Sequence, residues 1–406
     1  MIIDRDQFMD RGYLILRKVI SPKKLESMRA SSETILERQK VVWANERRPG
    51  DPPGGLFETD RQPRVVLEQP GLIDPKTANI VEDFWAADDT LDIASQLLCN
   101  PEPHVEKMMM MCNPVRDWPG GTGWHRDVYP ADMAPMDALA SDFTENGPKY
   151  VQWNVPLYDD SVLWVVPGSH RRRNTAQETA DLLDDIKKPI VGGTPVELNA
   201  GDGVIYSNFL LHTGSNYTTK KRRTIHGGHT VFAYYDELGF TGNLSPWALQ
   251  RFEDSSRQSE RLKDNTENIL RAVIGKDATA YRAELESIQP GVGPNGKTAL
   301  TIYLSKAARN IRILKDPDLY VSVSRRKRAM SPSPTNLNWG SEFADRFTPE
   351  ESEILWDRFE TLDTALQDDM EMYEPGFRTG PMYYYFNELP DGVDTESFIE
   401  SWESRG

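Results

Sequence analysis

"DGVIYSNFLLHTG", residues 202–214, decides how the middle of this chain folds. It is an apolar run of strand length, opened by an Asp-Gly turn and closed by Thr-Gly, and the strand ends in a histidine, His212. The same texture repeats outward from it. Upstream stand "HVEKMMMMCNP" (104–114), "YVQWNVPLYD" (150–159), "SVLWVVPGSH" (161–170) and "KPIVGGTPVEL" (188–198); downstream stands "RRTIHGGHTVFAYY" (222–235). Each is a short apolar run bounded by Gly, Pro, Asn or Asp. Several such strands in succession predict a sandwich or barrel. Only "ETADLLDDIKK" (178–188) interrupts them, as a helix or an acidic loop.

The flanks carry a different pattern. Residues 4–40 read as helix, strand, helix, the second helix opening on a Ser-Pro pair at 21–22. Residues 77–100 are helical in spacing. Residues 45–80 are rich in Pro, Gly and charge and, like 128–148, read as loops. Beyond residue 236, Ser-Pro and Thr-Pro pairs at 245–246 and 348–349 open two long helical patterns, with a linker expected at 330–338. The expected architecture is a mainly β core with helical additions (α+β): one domain over residues 1–235 and a mainly helical extension over 236–406.

Bulk properties narrow the function. The chain has 406 residues, 38% hydrophobic, and a mean hydropathy of −0.59. No apolar run approaches the roughly 18 residues of a membrane helix, and the mixed, acidic N-terminus resembles neither a secretory signal nor a transit peptide. Two cysteines, Cys99 and Cys112, build no disulfide framework or zinc knuckle and fit a reducing cytoplasm. The net charge is −16; residues 331–406 carry 18 Asp/Glu against 4 Arg, which is −14 of it. That balance disfavours a nucleic-acid partner, because phosphates are repelled.

Two motifs suggest phosphate chemistry and fail on context. "HRD" at 125–127 spells a kinase catalytic loop, but Asp132 stands where that loop needs Asn, and no D-F-G follows. "GVGPNGKT" (291–298) spells a phosphate-binding loop. A buried strand must lead into such a loop, whereas "YRAELESIQP" (281–290) is charged and helical in pattern. The expectation there is a Gly-Pro turn between helices.

A metal reading fits better. In an extended segment the side chains at i and i+2 project to one side, so His125 and Asp127 can grip one ion. His212, 87 residues on, is the third candidate. Two imidazoles and one carboxylate suit iron(II) and leave open positions. Such a centre is net +1 and welcomes an anionic bidentate co-substrate. If that co-substrate is a dicarboxylate, its far end needs a forked cation; Arg223 stands eleven residues past His212, beside Arg222. His229 shares the parity of Arg223 on its strand, and His170 is expected to shape a turn.

In order, "FMDRGYLILRKVISPKKLESMR" (8–29), "WHRD" (124–127), "VQWNVPLYDD" (151–160), "VVPGSH" (165–170), "AGDGVIYSNFLLHTGSN" (200–216) and "KRRTIH" (221–226) resemble the phytanoyl-CoA dioxygenase family of iron(II)/2-oxoglutarate-dependent oxygenases. The resemblance covers roughly residues 5–235. It implies a double-stranded β-helix (jelly-roll, cupin-like) and Fe²⁺ held by His125, Asp127 and His212. It further implies 2-oxoglutarate as co-substrate, its distal carboxylate on Arg223, with Trp153 on a strand lining the cofactor pocket. The other partners it implies are molecular oxygen and a small-molecule substrate hydroxylated or otherwise oxidised at a C–H bond. This chain departs from the family twice. The turn in "LYDDSVLWVVPGSH" (157–170) is clipped, and the Asn after the distal His comes one residue early, at Asn216, so the arginine assignment is open by one position. Asp127 argues against a halogenase, in which Ala or Gly makes room for chloride. The reading from another class is a metal-binding jelly roll without redox turnover, or a scaffold whose acidic C-terminal region binds a partner.

Overall fold

A computed structural model describes residues 2–115, 121–128, 133–215, 220–232, 239–316, 337, 339–377, 382–385 and 387–403. The linker expected at 330–338 lies, apart from Leu337, outside the described residues, as does Asn216. The described chain divides into two compact units: residues 1–126, 148–170 and 174–257 form one, and residues 127–147, 171–173 and 258–406 the other.

The first unit holds the β core. Helix α1 (Arg5–Arg11) is stopped by Gly12 in the left-handed conformation and runs into β1 (Tyr13–Leu16). Ser21 then caps α2 (Pro22–Asn45), accepting from the Lys24 amide at 3.4 Å, with Pro22 in the first turn where a missing N–H costs nothing. The short α3 (Leu56–Thr59) and the strand β2 (Arg64–Val66) lie within 45–80, which composition alone marks as loop. A π-helical turn (Val81–Trp85) and α4 (Asp88–Leu98) follow, then β3 (His104–Met111).

Six further strands complete the core: β4 (Tyr150–Pro156), β5 (Leu163–Val165), β6 (Thr194–Pro195), β7 (Gly203–Ser207), β8 (His212–Gly214) and β9 (Thr224–Thr230). A six-stranded sheet runs β1-β7-β4-β9-β3-β2 and a three-stranded sheet runs β6-β5-β8, every pairing antiparallel. Chain neighbours are seldom sheet neighbours, so the strands interleave.

Side-chain parity gives the six-stranded sheet two distinct faces. On one, Gln152 donates to the Tyr206 hydroxyl at 2.7 Å and His226 Nδ1 meets Asn154 Oδ1 at 2.7 Å. On the other, Trp153 packs edge-on against Phe84 of the π-turn and donates from its indole N–H to His229 Nδ1 at 3.1 Å. The paired glycines of "HGGH" fit tight places. Gly227 (φ 150°) lies opposite a bulge in β3, where a Cβ would stand 1.8 Å from the Lys107 carbonyl oxygen.

The second unit is mainly helical. It contains α5 (Met136–Asn146), within 128–148, where a loop is expected from the sequence. Met136, Leu139 and Phe143 are buried at helical spacing. Helix α6 (Ala176–Asp185), of the first unit, lies between β5 and β6; after β9 come α7 (Pro246–Gly275), which starts in the first unit and ends in the second, then α8 (Ala278–Ile288), α9 (Pro294–Lys315), α10 (Ser341–Ala344), α11 (Pro349–Ala365) and α12 (Thr395–Glu403) of the second. Thr348 and Glu351 close a reciprocal capping box at the start of α11. Arg309 of α9 and Asp363 of α11 form an ion pair at 2.9 Å, both side chains essentially without solvent contact. Two short strands, β10 (Gln367–Met372) and β11 (Met382–Tyr384), pair in the same unit. No helix among the described residues is long and apolar enough to cross a membrane.

Candidate metal centre

His212 opens β8, and the segment bearing His125 pairs with it. Each residue's amide donates to the other's carbonyl, at 2.8 and 2.9 Å. The pairing brings the two rings to 4.4 Å between centroids. Close approach of the chains requires Gly121, where a Cβ would sit 2.4 Å from the Gly214 carbonyl oxygen. Trp124 anchors the segment from behind. It is buried among Val166, Leu182, Ile190 and Leu211, and its indole N–H donates to the Lys188 carbonyl at 2.8 Å.

The two imidazoles are oriented in the same way. His125 Nδ1 lies 2.8 Å from the Gly123 carbonyl oxygen, and His212 Nδ1 lies 2.8 Å from that of Leu210. A carbonyl can only accept, so each Nδ1 carries the proton and each Nε2 presents the lone pair. This is the tautomer a metal ligand needs when Nε2 is the donor. Asp127, two residues past His125, completes a group whose ligand atoms all lie within 4.8 Å of one another. Two neutral nitrogens and one carboxylate oxygen are a suitable donor set for a divalent transition metal, and the three residues can hold such an ion.

The "PGSH" turn braces both ligand segments. Ser169 Oγ accepts from the Leu211 amide at 2.8 Å, immediately before His212, and the Ser169 carbonyl accepts from Arg126 at 3.3 Å. Arg126, between the two ligands, is fully buried and also donates to Asn174 Oδ1. His170 sits in the same turn, its Nε2 3.1 Å from the Met9 carbonyl oxygen. Ser169→Ala should lower stability by about 1–3 kcal/mol, the cost of a buried amide left unpaired. It should also weaken metal binding about 10–100-fold, as loss of an outer brace does, with Ser169→Thr restoring both in thermal melts and metal titrations. An unchanged metal affinity in Ser169→Ala would exclude the turn as a brace.

Sequence order also brings Arg223 and Trp153 forward as co-substrate residues, and the sheet places both on the face away from this group. The face toward it is marked by Tyr206, whose ring meets His212 edge-on at 5.2 Å, and Tyr206 shares that face with Gln152, Asn154 and His226. Trp153 alternates to the opposite side, with Phe84 and His229. Arg223 pairs with Glu33 of α2 at 3.0 Å. Burial opposes the Glu33 charge, but Lys221 and Arg223 hold its pKa below the ordinary value. His229 lies with Trp153; burial, helped by His104, pushes its pKa down to about 3 and keeps it neutral.

Arg222 takes the parity of Thr224 and His226. Its Nε lies 2.6 Å from Asp160 Oδ2, which also accepts from Thr224 Oγ1 at 3.0 Å. The early Asn216 is the sequence signal that leaves this open by one position, since neighbouring residues on a strand take opposite faces.

The phosphate-loop spelling is settled by its surroundings. Helix α8 leads in, and the first amides of α9, those of Asn295 and Gly296, donate to Glu145 Oε2 at 2.9 and 3.2 Å. A carboxylate of the chain therefore sits where phosphate would, and Lys297 pairs with Glu286 at 2.6 Å.

Residues 8–225, more than half of the chain, match the family described as phytanoyl-CoA dioxygenase. The chain belongs to the phytanoyl-CoA dioxygenase family. Solved structures similar to this family member include AviO1 from Streptomyces viridochromogenes Tue57, at 20% identity, a TM-score of 0.39 and coverage of 57% of this chain and 96% of that one. EctD from S. alaskensis, with 2-oxoglutarate and 5-hydroxyectoine, is 17% identical, with a TM-score of 0.40 and coverage of 60% and 81%. EvdO2 from Micromonospora carbonacea var. aurantiaca, complexed with 2-oxoglutarate, is 20% identical, with a TM-score of 0.37 and coverage of 57% and 92%. Among curated proteins none matches this phytanoyl-CoA dioxygenase family chain.

Proposed function

We propose that this protein is an iron(II)- and 2-oxoglutarate-dependent oxygenase that oxidises a C–H bond of a small molecule. The observation that carries the reading is the convergence of His125, Asp127 and His212, with both imidazoles held in the ligand tautomer by backbone carbonyls. Residues 1–235 form the oxygenase domain on this reading, its interleaved sheets a double-stranded β-helix; residues 236–406 are a helical extension. Bound iron(II) and 2-oxoglutarate supply, with molecular oxygen, the oxidising power, and 2-oxoglutarate leaves as succinate and carbon dioxide.

The chain's own residues bind and orient. His125, Asp127 and His212 would hold the ion through three donors, and an ion so held could also take a bidentate anion. Arg222 and Thr224, on the face shared with Tyr206, are the polar groups for the far carboxylate of that anion. Gln152 fixes the Tyr206 hydroxyl, so the ring beside His212 is held in one pose and shields the ligand. The family name is no statement of substrate, and acyl-CoA specificity is not part of the proposal.

The test is anaerobic. Iron(II)-loaded protein titrated with 2-oxoglutarate should develop a visible charge-transfer band, absent with succinate, and admitting air should consume oxygen and bleach the band. Metal binding without a band would instead favour a metal-holding jelly roll with no redox turnover. No metal binding at all would end the proposal.

A further inference from the structure

Arg222 and Thr224, the groups assigned above to a carboxylate, both donate to a carboxylate of this chain, and Arg222 Nη1 donates to Met111 Sδ at 3.0 Å. Asp160 Oδ2 accepts from Arg222 Nε at 2.6 Å and from Thr224 Oγ1 at 3.0 Å, while Oδ1 accepts from the Val162 amide at 2.7 Å. The backbone holds Asp160 in place, its amide and carbonyl bonded to Leu198 at 3.0 and 2.9 Å. Both side chains of the ion pair are buried, Arg222 at 6% and Asp160 at 7% exposure. Burial opposes the Asp160 charge, but Arg222, Val162 and Thr224 keep its pKa below the ordinary carboxylate value, so Arg222 and Thr224 meet an anion.

We infer that Asp160 is a built-in occupant of the seat for the co-substrate's distal carboxylate, which relaxes co-substrate choice toward 2-oxo acids that lack one. The inference rests on the 2-oxoglutarate reading above. A site that must pair a buried polar group with its ligand rejects analogues lacking the partner by about 10⁴–10⁵-fold. Arg222 has its carboxylate before any ligand arrives, so that source of rejection is removed. 2-Oxoglutarate must displace or crowd Asp160, whereas 2-oxopentanoate, the same chain without the distal carboxylate, leaves the pair intact.

The experiment titrates iron(II)-loaded wild type and Asp160→Asn, without air, with 2-oxoglutarate and 2-oxopentanoate, reading the charge-transfer band. Wild type should prefer 2-oxoglutarate by less than about 100-fold. Asp160→Asn should bind 2-oxoglutarate at least about 10-fold more tightly and 2-oxopentanoate unchanged. A wild-type preference above about 100-fold, or a variant that binds 2-oxoglutarate no better, overturns the inference while leaving the oxygenase reading standing. A metal-loaded wild type that gives no band with either acid overturns both. If Asp160→Asn does not fold, because Arg222 is left buried without its partner, the wild-type ratio decides alone.

Discussion

His212→Ala is expected to abolish useful metal binding, lowering affinity by more than about 100-fold. Residues that merely brace a ligand are worth about 10–100-fold, and loss of a ligand must exceed that. The change should be local. The alanine retains the amide and carbonyl that pair with His125, so the strand contact survives; what is lost is the imidazole beside Tyr206 and its bond to the Leu210 carbonyl. The comparison protein is His229→Gln, which alters a histidine on the opposite face beside Trp153. It should retain wild-type metal stoichiometry even if it melts earlier. Isothermal titration and metal analysis after desalting read both variants. Wild-type metal content in His212→Ala would refute the assignment of the centre.

The second large effect is on stability, in the helical unit. Asp363→Ala should cost about 3–5 kcal/mol, because it leaves the Arg309 guanidinium buried without its counter-charge. Gln367, which donates to Asp363 Oδ2 at 2.6 Å, loses a partner in the same step. The double variant Arg309→Met/Asp363→Leu separates two explanations. Removing both charges together should recover most of the loss or exceed wild type, since a buried ion pair owes little net stability to itself. Denaturant melts of the three proteins give the answer. A double variant as unstable as Asp363→Ala would mean that packing around these side chains, and not the stranded charge, sets the cost.

Much of the β core is legible because its punctuation is strong. Gly201 through Gly203 and Gly214 bracket β7 and β8, and the ladder runs nearly where the apolar letters do. The metal group is legible for a related reason: His-x-Asp on extended backbone fixes two side chains on one side; His212, expected at the end of one long strand, instead opens β8 after a break that follows Ser207. Which face Arg222 and Arg223 each take depends on something letters do not carry, the register at the start of β9. One residue of register exchanges an ion pair with Asp160 for one with Glu33 on the other face. Trp153 lies with Phe84 and His229 for the same reason, since a strand residue is defined by its side as much as by its strand. Helix α5 hides differently. Met136, Leu139 and Phe143 have helical spacing, but the cap is Pro135 with no side-chain bond to the first turn, so the usual start signal is missing. Asp160 is visible as a letter in a clipped turn, yet only folding joins it to an arginine 62 residues away.

The bonds from His125 Nδ1 to Gly123 and from His212 Nδ1 to Leu210 both reach back two residues, to backbone oxygen. Backbone oxygen is present whatever side chain stands there, so substitutions at those carbonyl-bearing positions leave the proton placement untouched as long as the chain keeps its path. The lock also lies wholly before each of the two histidines. The residues after His212 therefore take no part in placing its proton. The nitrogen each imidazole offers to an ion is thus set by the course of the chain just ahead of it.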